Sequence, residues 1–229
     1  MAFFKGKTTA GGEDFPQTPA GNWSGVCVCL IDLGTHWESY QGGPQKKQRK
    51  VLMVWEIDAE KDGKEERFFV GRDYNIGVNE KGEVSYGEKS NIRKMLESWK
   101  GRSYGVGEEI DLSATLGKTC LVNIAGKKTK SDKDITFVNA ISPLPKGMKA
   151  IKARKPQITY EADSDALVPE EEWLPRVFGE TVKDILERCL EHKGSGIKEA
   201  KPTGTGKPPT EQLADYAQIA DDDSSPIPF

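Results

Sequence analysis

Apolar residues along the chain fall into five runs that have the length and composition of β-strands. These runs are residues 22–34, 51–58, 67–76, 119–126 and 135–142. The first, NWSGVCVCLIDLG, is apolar at both odd and even positions, which indicates a largely buried strand. Polar, Gly-containing turns precede and follow the third run, so the second and third strands are predicted to form a hairpin. Residues 35–50, with two glycines and a proline, are predicted to form a long loop.

Two other segments carry apolar residues at helical spacing. Residues 90–101, SNIRKMLESWKG, start with Ser90 as an N-cap and stop at Gly101, which predicts an amphipathic helix of about three turns. Residues 170–194 predict a second amphipathic helix that stops at Gly194. Its apolar stripe comprises Phe178, Val182, Ile185, Leu186, Cys189 and Leu190. This stripe must be buried, either on the chain's own domain or against a partner chain.

The order strand, strand, strand, helix, strand, strand is that of an OB-fold, a five-stranded barrel with a helix between its third and fourth strands. Any five-stranded α+β domain with one helix would give the same order. We expect a mainly β protein with an OB-fold nucleic-acid-binding domain over residues 19–145 and a C-terminal amphipathic helix over residues 170–194. The flanking segments are predicted to be a disordered lead-in (1–18), an irregular linker with a basic start (146–169), and a disordered linker ending in an acidic partner-binding tail (195–229).

Composition and charge indicate how much of the chain folds and what the folded part binds. The hydrophobic content of 36% and the mean hydropathy of −0.61 indicate that part of the chain stays unfolded. The first 158 residues carry a net charge of +6 and the remainder carries −9, within a total of −3. A basic body followed by an acidic end predicts that the body binds a polyanion and that the tail does not.

The sequence does not indicate a membrane span, a signal peptide or a zinc site. No run of about 18 apolar residues predicts a membrane span. The N-terminus lacks the apolar core of a signal peptide, so a cytoplasmic protein is expected. The cysteines have no zinc-binding spacing and are predicted to be buried thiols, with Cys27 and Cys29 on one face of the first strand. No metal or other cofactor is expected.

Catalytic chemistry is weakly indicated. Four carboxylates near strand ends could hold Mg²⁺ in a nuclease, namely Asp32, Glu56, Asp58 and Asp73. The HExxH, GxxxxGK[ST] and GxSxG motifs are absent, and the chain has only two histidines. Carboxylates at strand ends usually serve solubility, so we expect a protein that is not an enzyme.

The two most basic loops of the predicted barrel are those that flank the ligand-binding face of an OB-fold. The loop between the first and second strands contains Trp37, Tyr40, Lys46, Lys47, Arg49 and Lys50. The loop between the fourth and fifth strands contains Lys127, Lys128, Lys130 and Lys133. Lysines on such loops follow a phosphate backbone without reading bases, and aromatic rings stack with bases at about 1–3 kcal/mol each. The alternative is that these lysines serve only solubility.

Further candidates lie on the predicted strands, where about half of the side chains point away from the core. They are Trp55, Phe69, Arg72, Tyr74 and Phe137. Adjacent Phe68 and Phe69 must face opposite ways, so one of the two is a candidate surface for base stacking.

The chain ends in DDDSSPIPF, in which Asp221, Asp222 and Asp223 precede an apolar end formed by Pro226, Ile227, Pro228 and Phe229. With the Gly/Pro-rich linker before it, this end resembles the C-terminal tip of bacterial single-stranded DNA-binding proteins. The prolines favour an extended conformation, and the aspartates would steer the terminal Phe to a basic pocket. The resemblance implies that these residues recruit proteins of replication and repair.

Other segments are PAGNWSGVCVCLIDLG, VLMVWEI, EKSNIRKMLESWKG, LGKTCLVNIAGKK, ITFVNAISPLPKG and EEEWLPRVF. They resemble OB-fold single-stranded DNA-binding proteins encoded by phages and prophages, and the resemblance covers about residues 19–190. The resemblance implies a protein that coats single-stranded DNA in replication or recombination, in the cytoplasm of a bacterial host. The alternative is an OB-fold adaptor that binds protein or structured RNA. The sequence leaves open whether the chain forms a homo-oligomer and whether it prefers DNA or RNA.

Overall fold

The computed structural model describes residues 17–39, 43–60, 66–79, 83–128, 134–177 and 179–192. Within these residues the chain is mainly β, as the sequence predicts. The strands are β1 (Gly21–Glu38), β2 (Lys46–Glu60), β3 (Arg67–Val78), β4 (Val84–Ser85), β5 (Thr119–Lys128), β6 (Asp134–Ser142) and β7 (Ile158–Tyr160). The helices are α1 (Asn91–Lys100) and α2 (Val182–Leu186).

β1 is central to the sheet, whose strand order is β4-β3-β2-β1-β5-β6. β2 pairs with β1 along one edge. The other edge of β1 pairs with β5 through residues 21–26 and with β7 through residues 29–31. The β1–β7 pair is parallel, and the other pairs between these strands are antiparallel. β1 therefore connects the early hairpins to the C-terminal part of the fold.

The described strands form an open sheet of seven strands rather than the predicted closed barrel of five. β3 and β6 would have to pair to close such a barrel, and no backbone ladder joins them within the described residues. Instead, Nη1 of Arg72 on β3 donates hydrogen bonds to the carbonyl oxygens of Val138 (3.0 Å) and Asn139 (2.9 Å) on β6. The two strands are thus linked by side-chain hydrogen bonds and by a shared core rather than by a backbone ladder.

One face of the sheet, called the inner face, packs against α1. The hydroxyl of Ser90 caps the first turn of α1, and Gly101, with a φ of 70°, ends the helix. Ile92, Met95 and Leu96 are buried with inner-face side chains of β1, β2, β3, β5 and β6, and together they form the inner core. The helix predicted over this part of the chain is confirmed.

The opposite face, called the outer face, is covered over β1, β2 and β3 by the C-terminal segment, residues 146–177 and 179–192. The buried residues of this outer core are Val26, Val28, Cys29, Ile31, Leu33, Leu52, Val54, Ile151, Tyr160, Ala162, Val177, Val182, Ile185, Leu186 and Cys189. The predicted irregular linker over residues 146–169 does have little helix or strand, but it packs on the sheet instead of serving as a free connection. This stretch contains β7, and Ile151 and Tyr160 are buried in it because the apolar outer face of β1 and β2 needs a cover.

The predicted C-terminal helix over residues 170–194 is wrong in extent. Only Val182–Leu186 forms α2, which starts with a capping box between Thr181 and Asp184. Gly179, with a φ of 83°, turns the chain just before it. The predicted apolar stripe is nonetheless buried from residue 182 to residue 189, and it packs on the chain's own sheet.

β1 and β2 are longer than the sequence predicts. Their pairing continues to Glu38 and Lys46, so most of the predicted loop over residues 35–50 is strand. A β-bulge between Cys27 and Cys29 shifts the register. As a result Cys27 lies in the inner core and Cys29 in the outer core, rather than on one face. All four cysteines are buried free thiols, as predicted.

Candidate nucleic-acid interface

The β1–β2 hairpin presents an exposed aromatic ring among lysines. Trp37, near the end of β1, pairs in register with Lys47, and Glu38 pairs with Lys46. Trp37 is 41% exposed, and Nζ of Lys47 lies 5.2 Å from the centroid of the Trp37 ring, within cation–π range. Lys46 is exposed beside this pair. The hairpin therefore places a stacking surface and two positive charges side by side.

Arg49 and Lys50, the next predicted binding residues of β2, are engaged by carboxylates. Nε of Arg49 donates to Asp32 at 3.1 Å, and Nζ of Lys50 lies 2.5 Å from Glu38 and 3.3 Å from Asp73. The hydrogen bond to Asp32 raises the pKa of Arg49. Burial would lower the pKa of Lys50, but Asp73 and Glu38 outweigh it and raise that pKa. Both charges are therefore largely neutralised within the protein.

The predictions that Trp55 and Tyr74 stack with bases are wrong. Trp55 is fully buried and Tyr74 is 3% exposed, and both side chains belong to the inner core. Burial raises the pKa of Tyr74 well above its usual value. Arg72 lies with its guanidinium carbon 5.3 Å from the centroid of the Tyr74 ring while it bonds to β6. These three side chains hold the sheet together instead of forming a surface for bases.

The outer face of β2 and β3 is covered by the C-terminal segment. Phe69 does point away from the buried Phe68, but its ring packs against Trp173 with centroids 4.7 Å apart. A Cβ added at Gly71 would lie 2.7 Å from Cγ of Pro175, so the segment rests directly on the backbone of β3. The prediction that Phe69 is a free stacking surface is therefore wrong.

The β5–β6 hairpin carries the second predicted group of lysines. Lys127 is half-buried and Lys128 is exposed at the end of β5. Phe137 on β6 pairs with Ala125, two residues from Lys127, so Phe137 and Lys127 share the outer face. Phe137 is half-buried there. The structure thus brings one aromatic ring and two lysines to this hairpin.

A row of asparagines crosses the outer face next to this hairpin. Nδ2 of Asn139 on β6 donates to Oδ1 of Asn123 on β5 at 2.9 Å. Nδ2 of Asn123 in turn donates to Oδ1 of Asn22 on β1 at 2.7 Å. A register shift interrupts β6 at Asn139, but its hydrogen bond to Asn123, two residues from Ala125 opposite Phe137, places Asn139 on the outer face. The row gives amide groups that can bond to bases or sugars to the part of the outer face that the described residues of the C-terminal segment leave open.

The two hairpins leave the sheet at opposite ends of β1. The β1–β2 turn follows the C-terminal end of β1 at Glu38. β5 runs past the N-terminal end of β1, where Gly21 pairs with Ile124, and continues to Lys128. The exposed lysines of the two hairpins therefore flank the length of β1.

Ten predicted binding residues lie outside the described residues, and for them the predictions stay predictions. In the hairpins they are Tyr40, Lys130 and Lys133, and in the tail they are Asp221, Asp222, Asp223, Pro226, Ile227, Pro228 and Phe229. The basic start of the C-terminal segment, KGMKAIKARKP at 146–156, carries no predicted binding residue. Its run of positive charge was the available signal, and several of its residues line a cavity described below.

Each carboxylate considered for Mg²⁺ is paired with a cation. The pairs are Asp32 with Arg49, Glu56 and Asp58 with Arg67, and Asp73 with Lys50. Across the described parts of the chain, no group of three or more His, Cys, Asp or Glu side chains is placed to hold a metal ion.

No helix among the described residues has the length and apolar character needed to span a bilayer. No protein-family model, no curated protein sequence and no solved structure matches this chain.

Proposed function

We propose that this protein binds single-stranded nucleic acid without sequence preference and coats single-stranded DNA in replication, recombination or repair. The observation that carries the proposal is the exposed Trp37 ring beside Lys46 and Lys47 on the β1–β2 hairpin. An aromatic ring stacks with any base, and lysines neutralise phosphates without reading sequence. Single strands are favoured over duplex because their bases are free to stack on protein side chains.

We also propose that the sheet is a variant of the OB-fold. The path β3-β2-β1-β5-β6 and the position of α1 between β3 and β5 along the chain support this assignment. α1 contacts both β3 and β6, the two strands that an OB barrel would bring together. Arg72 links the same two strands through its hydrogen bonds.

OB-folds bind oligonucleotides on the face of strands 2 and 3, flanked by the loops between strands 1 and 2 and between strands 4 and 5. In this chain Trp173 and Pro175 cover that face. We therefore assign the nucleic acid to the two hairpins and to the outer face of β5 and β6, which the described part of the C-terminal segment does not cover. Phe137 and the asparagine row lie on that face.

In the same proposal the C-terminal tip, residues 221–229, recruits partner proteins. Its acidic residues and terminal Phe suit a basic pocket with an apolar floor on a partner. The resemblance of this tip to bacterial single-stranded DNA-binding proteins supports this role. The chain then acts without catalysis, in the cytoplasm of a bacterial host and as a phage-encoded protein.

Tryptophan fluorescence of the full chain, titrated with oligo(dT), oligo(dA), oligo(U) and duplex DNA, tests the proposal. Trp55 is fully buried and Trp23, Trp99 and Trp173 are half-buried, so quenching should report mainly on Trp37. We expect single strands to quench and duplex not to. Trp37→Ala should weaken oligo(dT) binding by about five- to 150-fold, equivalent to about 1–3 kcal/mol for one stacked base.

Trp37→Phe is the matched control, because it removes the indole emission and keeps an aromatic ring. Its affinity for a dye-labelled oligo(dT) should stay close to that of the wild type. Equal binding of duplex and single strands, or full affinity in Trp37→Ala, would refute the coating model. Binding to none of the nucleic acids would favour the protein adaptor, and Mg²⁺-dependent cleavage in the same titration would reveal a nuclease.

A further inference from the structure

A cavity of about 440 Å³ lies between the sheet and the basic start of the C-terminal segment. It is lined by Asp58 near the end of β2, by Arg67 at the start of β3 and by residues 149–154. Its volume falls within the range of small-ligand sites, about 300–1,000 Å³. The lysines and aromatic residues of the two hairpins are not among its lining residues, so it is a separate candidate site.

Hydrogen bonds to a buried carboxylate and to the backbone hold the walls of this cavity. Glu56 is fully buried and accepts hydrogen bonds from Nη1 of Arg67 at 2.9 Å and from the backbone N–H of Arg154 at 2.8 Å. Nη1 of Arg67 also donates to the carbonyl oxygen of Lys152 at 3.0 Å, and its Nη2 lies 3.3 Å from Asp58. One buried carboxylate thus ties the C-terminal segment to the sheet, and the cavity is preformed.

Positive charge dominates the lining. Lys149, Lys152 and Arg154 are exposed, and Asp58 is the single carboxylate among the lining residues. The charge of Arg67 is balanced by the buried Glu56. Arg67 also has a buried Nε with no hydrogen-bond partner in the described part of the chain, which is uncommon in folded proteins. The cavity therefore offers an excess of cations and donors, the chemistry that binds an anion.

The cavity also continues the surface that begins at the β5–β6 hairpin. The Oγ of Ser24 on β1 donates to the carbonyl oxygen of Lys149 at 2.8 Å. Ser24 and Asn22 are two residues apart on β1 and share its outer face. Asn22 is one end of the asparagine row that reaches Asn139 on β6. An extended ligand that follows this row therefore reaches Lys149 without leaving the outer face.

We propose that this cavity is a phosphate-binding pocket and that it takes a backbone phosphate of the single strand that crosses the outer face. The identity of the strand rests on the proposed function, whereas the preference for phosphate follows from the lining. Lys149 and Lys152 act as point charges toward one phosphate. Asp58 opposes the anion and weakens its binding.

The test compares Lys149→Gln/Lys152→Gln with the matched control Lys146→Gln/Lys155→Gln, in the full chain. All four lysines are exposed and belong to the same segment, but Lys146 and Lys155 do not line the cavity. For oligo(dT), the pocket variant should lower the slope of log affinity against log salt by about 1.4, since each single-strand phosphate contact contributes about 0.7. The control should keep the wild-type slope. Asp58→Asn should bind oligo(dT) more tightly than the wild type.

A second arm uses inorganic phosphate alone and follows backbone amide chemical shifts of residues 149–154 by NMR. If the wild type binds oligo(dT) and the pocket variant matches it in affinity and slope, the phosphate pocket is refuted while the proposed function stands. If the wild type binds no oligonucleotide, the proposed function fails, and the phosphate arm decides on the pocket. Saturable shifts that the pocket variant abolishes then support a site for free phosphate, and unchanged shifts overturn it.

Discussion

Neutralising the exposed lysines of either hairpin should make single-strand binding less sensitive to salt. The two changes are Lys46→Gln/Lys47→Gln in the β1–β2 hairpin and Lys127→Gln/Lys128→Gln in the β5–β6 hairpin. Three of these lysines are exposed and one is half-buried. Each can displace a counterion from a phosphate, and this displacement is the origin of salt-dependent binding.

The expected magnitude follows from the number of lysines in each hairpin. Each single-strand phosphate contact adds about 0.7 to the slope, so either double variant should lower it by about 1.4 and both together by about 2.8. Between about 50 and about 200 mM salt, wild-type affinity should then fall about sevenfold further than that of one double variant. Arg49 and Lys50 should add little, because Asp32, Glu38 and Asp73 already neutralise them.

Fluorescence anisotropy of a labelled oligo(dT), measured at several salt concentrations, gives the slopes. The matched control is Lys89→Gln/Lys94→Gln, which removes the same charge from exposed positions beside and on α1. Its slope should equal that of the wild type. A wild-type slope in either hairpin variant would remove that hairpin from the binding surface. An equal drop in the control would show that net charge, rather than the hairpins, sets the affinity.

Three further predictions concern stability and reactivity. Glu56→Gln should lower the free energy of unfolding by about 1.5–3 kcal/mol in urea titrations, since it removes the buried charge that Arg67 and the backbone N–H of Arg154 donate to and leaves Arg67 with the exposed Asp58 as its counter-charge. The exposed Asp58→Asn should cost less than about 1 kcal/mol. Burial raises the pKa of the Cys27 thiol to about 12, so a thiol reagent at pH 8 should label none of the four cysteines in the native protein and all four in denaturant. Burial would raise the pKa of Glu191, but hydrogen bonds donated by Thr35 lower it. The stability that Glu191 contributes is therefore present above its unfolded pKa and lost as pH falls through its folded pKa, so Glu191→Gln should flatten the acid limb of a stability profile.

The inner half of the fold could be predicted from the sequence because its signals are local. Strand-length apolar runs with polar turns between them gave the five main strands, and Ser90 and Gly101 bounded α1. The cover of the outer face could not be predicted in the same way. It depends on pairings such as that of Thr35 with Glu191, which are 156 positions apart in the sequence. No local pattern records which distant segment will fill an apolar face.

The candidate site likewise has residues whose exposure the local sequence predicts and residues whose surroundings depend on strand pairing. Exposure of Trp37 and Lys46 follows from the polar composition around them, which the sequence displays directly. Trp55 lies in VLMVWEI, which is apolar at every position but one, so alternation could not tell its inner face from its outer face. Arg49 and Lys50 look like binding residues by composition. Their carboxylate partners are brought to them by strand register and side-chain reach, which charge counting does not reveal.

The long separation between β1 and its cover has a consequence for synthesis on the ribosome. Thr35 emerges 156 residues before its partner Glu191, a delay of about 8–30 s at about 5–20 residues per second. During that interval the outer face of the nascent sheet is apolar and uncovered, and it is a surface for chaperones or for misassembly with neighbouring chains. A shortened chain that ends after β6 would keep that surface permanently, so the natural place to trim this protein is after the C-terminal segment.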